Sequence, residues 1–170
     1  MGFSNTTQSS IVCYYEKKVT FFAAKWEFDS EHQEWNVLYK EYEWKEAPPK
    51  KVCFDNNIDD FKVILLRIQR LAIDIHCDNF AKVFQKAHDI LLGTGDFDTI
   101  PDASLPELPE ENLRLLKAAN TADVFGAMGS WNDSPPYSAH EKGLDEEYEL
   151  LSNELLKQLR LAILYAVNEW

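Results

Sequence analysis

The sequence predicts an α+β fold: a small N-terminal antiparallel sheet followed by a bundle of about four helices. Two observations carry this. Within residues 1–55 the aromatic and β-branched residues come in short runs with stretches of period-two alternation. From residue 56 onward the apolar residues recur at spacings of three and four. The 170 residues are read as a single domain, with a β-rich part at 1–55 and a helical part at 56–170.

IVCYY (11–15) reads as a first strand, and VTFFAAKWEFD (19–29) and EWNVLYKEYEW (34–44) as a hairpin turned by SEHQ. In the last run Trp35, Val37 and Tyr39 alternate on odd positions, whereas Tyr42 and Trp44 take even ones. A bulge at Lys40-Glu41 is expected to return both sets to one face. KVCF (51–54) is expected to add a short fourth strand after the Pro48-Pro49 break.

Asn57 is the expected cap of a first helix, with Phe61, Ile64, Leu65, Ile68, Leu71, Ala72 and Ile75 as its inner stripe. A second helix starts at Asp78 or Asn79, buries Phe80, Val83, Phe84, Ala87 and Leu91, and ends at Gly93. Residues 93–108 are Pro-rich and acidic, as in an exposed connection. A third helix spans roughly 109–124, with Pro109 in its first turn. VFGAMGSWNDSPP (124–136) then interrupts the helical pattern, and its two prolines are expected to force an extended exit. From Asp145 to the end, Tyr148, Leu151, Leu155, Leu159, Ala162 and Ala166 form a near-heptad stripe. That stripe is a core face, with a homodimer through residues 145–170 as the alternative.

The net charge is −12, and residues 93–170 hold 5 basic and 15 acidic groups, so most of the charge lies there. A phosphate backbone would be repelled, which leaves a basic protein as the expected partner and nucleic acid as an unsuitable one. No apolar run is long enough for a membrane span. Cys13, Cys53 and Cys77 show no CxxC spacing and read as reduced thiols of a cytoplasmic protein. His76, Cys77 and His88 are explained by turn and packing roles rather than by zinc. Asp96, Asp98 and Asp102 fail the calcium-loop spacing, and no cofactor is called for.

No nucleophile elbow or phosphate loop is present in the sequence. Ser130, with His140 ten residues on, is the best candidate for a hydrolase-type site. The FGAMGSWND stretch, through Phe125, Gly126, Met128, Gly129, Ser130, Asn132 and Asp133, resembles an FGGMGSxND motif of a family of small, largely uncharacterised bacterial helical proteins. The resemblance covers roughly residues 60–170 and implies a helix before the motif and another closing the chain. Ala127 departs from the pattern, which has glycine there.

By size and charge the chain is also similar to bacterial immunity proteins, which bind and occlude toxins. The leading expectation is therefore a non-enzymatic binding protein for a basic toxin or effector. Asp96, Asp98, Asp102, Glu110 and Glu111 would steer the partner, and Met128, Trp131, Asn132, Asp133 and Trp35 would form the contact.

Overall fold

Strand β1 (Ser10–Tyr14) pairs antiparallel with β2 (Val19–Asp29), which pairs antiparallel with β3 (Glu34–Glu43), in the order β1-β2-β3. These elements belong to a computed structural model that describes residues 10–46, 50–94, 108–126 and 128–170. The chain falls into two compact units, Met1–Val52 and Cys53–Trp170.

Asp29 builds the turn of the long hairpin. Its carboxylate accepts the Glu31 and His32 N–H groups at 2.9 and 3.1 Å, and Gln33 adopts a left-handed φ of 55°. The pairing of β2 with β3 then runs unbroken from Thr20↔Glu43 to Asp29↔Glu34. The bulge expected at Lys40-Glu41 is therefore absent, and the change of parity along β3 has another meaning: one face of the hairpin is apolar along its length, and the other, which carries Lys25, Glu27, Glu34 and Lys40, is apolar at the end away from the Asp29 turn. Trp35, Val37 and Tyr39 share one face with Phe22, Ala24, Trp26 and Phe28. On the other, Phe21 stacks on Tyr42 at 5.5 Å and meets the edge of Trp44 at 5.4 Å. The expected strand at 51–54 does not form. The Phe54 N–H instead donates to the Glu169 carboxylate at 3.0 Å.

The second unit is helical: α1 (Ile58–Asp74), α2 (Asp78–Leu92), α3 (Glu110–Ala122), α4 (Pro135–Glu141) and α5 (Asp145–Asn168). Neighbours in the bundle are α1 with α2, α2 with α3, α3 with α5, and α5 back to α1, while the short α4 rests on α5. The expected stripe of α1 is buried throughout, from Phe61 to Ile75. On α2, Ala81 and Ile90 join Phe84, Ala87 and Leu91 in the core, while Phe80 is only partly buried. On α5, Leu151, Leu155, Leu159, Ala162 and Ala166 close the core, so the near-heptad stripe is used inside the chain itself.

Buried polar groups hold the helices in register. Asn57 does not cap α1 as expected; its amide donates to the Gln158 carbonyl at 2.9 Å and to the Gln158 side chain at 2.6 Å. The Ile58 N–H is taken by Asn56 instead. Asn112 ties the start of α3 to the end of α5 through the Ala166 and Glu169 carbonyls, at 3.1 and 3.0 Å. No helix among the described residues is long and apolar enough to cross a membrane.

Candidate functional site

The interruption between α3 and α4 is a closed loop anchored by one ring. The Trp131 N–H donates to the Val124 carbonyl at 2.9 Å, which brings the two ends of the loop together. Gly126 and Gly129 sit at φ of 90° and 78°. A Cβ at either would meet open space, so glycine is needed there for backbone rotation and not for clearance. The Asp133 carboxylate accepts the Gly129 N–H and, at 3.2 Å, the Ser130 N–H. The Asp133 N–H returns a bond to the Ser130 carbonyl at 3.1 Å, and Ser130 Oγ accepts the Asn132 N–H at 3.3 Å. Short polar side chains thus satisfy a backbone that no helix or sheet could serve.

Trp131 is wholly buried, which corrects its assignment as a contact anchor. Phe80 and Phe84 of α2 meet it edge-on at 5.2 and 5.3 Å, and Tyr148 of α5 stacks on it at 5.3 Å. Its indole N–H donates to Ser152 Oγ at 2.7 Å, and its carbonyl accepts the Tyr148 hydroxyl at 2.6 Å. Burial pushes the Tyr148 phenol above its ordinary pKa, against a hydrogen bond with Ser152. An aromatic-rich site of this kind has no room for a partner. Its effect is to fix the loop on α2 and α5.

Met128, at the loop tip, is fully exposed. Asn132 and Asp133 are exposed beside it in sequence, with Asp133 committed to holding the loop. The chain then enters α4, where Pro135 and Pro136 occupy the first helical positions. The expected extended exit is therefore a helix start, since proline suits the one place in a helix where no N–H is required. Tyr137 of α4 is exposed, and α4 ends at a left-handed Gly143. The first turn of α5 carries Asp145, Glu146 and Glu147, one turn before the Tyr148 that stacks on Trp131. Met128 and Tyr137 flank Trp131 in the chain, and the acidic start of α5 precedes the Tyr148 that stacks on it. Tyr137, Glu146 and Glu147 were not picked out from the sequence, because no spacing connects them to the loop until Trp131 does.

The other expected contact residues lie elsewhere. Glu110 and Glu111 are exposed at the start of α3, which puts them about 20 Å from the loop at the far end of that helix. Trp35 is exposed in the sheet unit. Asp96, Asp98 and Asp102 lie outside the described residues.

The suggested hydrolase pair is engaged separately. Ser130 is buried within the loop bonds, and His140 Nδ1 lies 2.8 Å from Asp145. His76, Cys77 and His88 likewise have their own surroundings. His76 Nε2 is 3.1 Å from the Lys142 ammonium, and His88 Nδ1 is 4.0 Å from Asp89. Burial raises the Cys77 pKa, against a hydrogen bond with Ser138. Among the described residues no three His, Cys, Asp or Glu side chains gather as a metal site.

Fold and loop together define an α+β protein with a tryptophan-anchored loop on a helical bundle. No family model matches the chain, and no curated protein or solved structure matches it.

Proposed function

We propose that this protein is a non-enzymatic binding protein of the immunity type, which occludes a basic toxin or effector in the cytoplasm. The supporting observation is Met128, fully exposed on a loop whose backbone is already fixed by Asp133 and Trp131. A polarizable, unbranched side chain at a pre-ordered tip loses little loop entropy when covered. The neighbouring Asp145, Glu146 and Glu147 supply a negative rim that speeds encounter with a cationic surface. The resemblance of FGAMGSWND to its family motif covers this same loop.

The test is capture of a partner from the source organism on the tagged chain, followed by binding kinetics. Met128→Asp is expected to weaken the captured complex at least tenfold through faster dissociation, with unchanged far-UV circular dichroism. Raised salt should slow association, as steering requires. Equal binding by Met128→Asp would move the contact away from this loop, and a salt-independent association rate would remove the steering role.

A further inference from the structure

The sheet ends on an open edge. β3 is the terminal strand in the order β1-β2-β3, and no further strand lies beyond it among the described residues. Its unused backbone groups can be assigned. The Trp44 N–H donates to the Val19 carbonyl at 2.9 Å, which makes these two a hydrogen-bonded pair. The unbroken register then turns the N–H and C=O groups of even-numbered β3 residues toward β2. Those of Trp35, Val37, Tyr39 and Glu41 point outward. A continuous edge of this length without proline or bulge is a template for another strand.

We propose that β3 pairs antiparallel with β3 of a second copy about a two-fold axis at Val37, joining two sheets into one. The side chains select this occupant and this register. With the axis at Val37, Glu34 lies opposite the second copy's Lys40, Trp35 opposite Tyr39, and Val37 opposite itself. Symmetry doubles the ion pair and the aromatic pair, and the outward groups of Trp35, Val37 and Tyr39 form about six backbone hydrogen bonds.

Neighbouring registers lose this match. An axis at Leu38 sets Trp35 against Glu41, and an axis at Tyr39 sets Val37 against Glu41 and Trp35 against Glu43. An axis at Asn36 shortens the overlap and leaves Glu34 facing Leu38. Only the Val37 register joins opposite charges and apolar partners at once, which is self-complementarity of the kind an isologous dimer needs. Trp35, Leu38 and Tyr39 are each about half exposed or more, so the strand brings apolar area to the junction.

Sedimentation velocity of the full chain over rising micromolar concentrations tests this. The expected result is a shift toward twice the 19.7 kDa chain mass. Val37→Pro removes an outward N–H at the axis, is tolerated on an edge, and is expected to abolish the dimer while the circular dichroism is kept. Glu34→Lys and Lys40→Glu each set like charges opposite one another twice and should weaken the dimer roughly tenfold. Within its own hairpin Glu34 faces Asp29, and Lys40 faces Ala23, so neither change threatens the fold. The double variant restores both pairs with reversed sign and should recover the original affinity within about threefold. A monomer at every concentration overturns the proposal. So does a dimer indifferent to these changes, as one held through α5 or a sheet face would be. Loss in the single variants without recovery in the double overturns the register.

Discussion

The two units spend their aromatic residues in opposite ways. In the helical unit Trp131, Phe61 and Phe84 are wholly buried, and every buried hydrophobic among the described residues lies between Phe61 and Ala166. In the sheet unit Trp26, Phe28 and Trp35 are each about half exposed or more, and among its described residues only Thr20 is buried. The overall share of hydrophobic residues does not separate the two; geometry does. A helix collects its apolar residues on one side, so four helices can close around a shared core. A three-stranded sheet can close over neither of its faces by itself. The lesson is that hydrophobic content predicts burial only after the period has assigned the residues to faces.

The sharpest way to break this comparison is to make one substitution in both units. Trp131→Ala removes a buried ring and the indole donor to Ser152, and should cost about 3–5 kcal/mol in urea unfolding followed by helical circular dichroism. Trp35→Ala should leave that transition within about 0.5 kcal/mol, since it removes an exposed ring. Similar losses from both would mean that the two aromatic sets share one cooperative core.

Ser152→Ala tests how the buried tryptophan is satisfied. Ser152 is buried and accepts the indole N–H, so alanine there leaves a donor without water or partner. The expected loss is about 1–3 kcal/mol in the same assay. A neutral result would show that the indole finds another acceptor.

Features with one physical explanation were legible in the sequence, and features with two were not. The stripes of α1 and α5 were legible because three-and-four spacing admits one assignment, and burial then matched nearly residue by residue. Gly93 as the end of α2 was legible because a left-handed turn favours glycine, and its φ is 73°. The supposed bulge in β3 failed because a change of parity has two explanations, a bulge or a second apolar face, and only the pairing decides. Pro135-Pro136 starts a helix where an extended exit is expected, because proline both ends and begins helices. That Trp131 anchors the loop and is not a contact follows only from the positions of Phe80, Phe84 and Tyr148, which come from two distant helices.

A smaller effect comes from the end of α1. The His76 N–H donates to the Ile73 carbonyl and the Cys77 N–H to the Ala72 carbonyl, at 3.0 and 2.7 Å, with His76 at a left-handed φ of 59°. The ends of α2 and α4 repeat this arrangement with Gly93 and Gly143 in the left-handed position. His76→Gly should therefore stabilise the helical unit by about 0.5–1 kcal/mol, since the contact it gives up with Lys142 is exposed. Destabilisation would mean that the histidine side chain contributes more than its backbone strain costs.

The last test changes no residue and compares the units through their thiols. Cys13 of β1 and Cys77 before α2 are both partly buried, and Cys53 is exposed. Burial raises the Cys77 pKa, so less of it is thiolate at pH 8, and the thiolate is the species that reacts with iodoacetamide. The hydrogen bond with Ser138 works in the opposite direction and is the lesser cause. Cys53 should be alkylated first and Cys77 last by mass spectrometry, with Cys77 more than tenfold slower because its helix-end site must open. If the sheet has no core of its own, Cys13 should react by local opening, at a rate that Ser152→Ala leaves unchanged. Cys77 lies among residues that the loop anchor holds, so Ser152→Ala should speed its labelling in step with the lost stability. Equal acceleration at both thiols would join the two units into one cooperative body and remove the contrast between them.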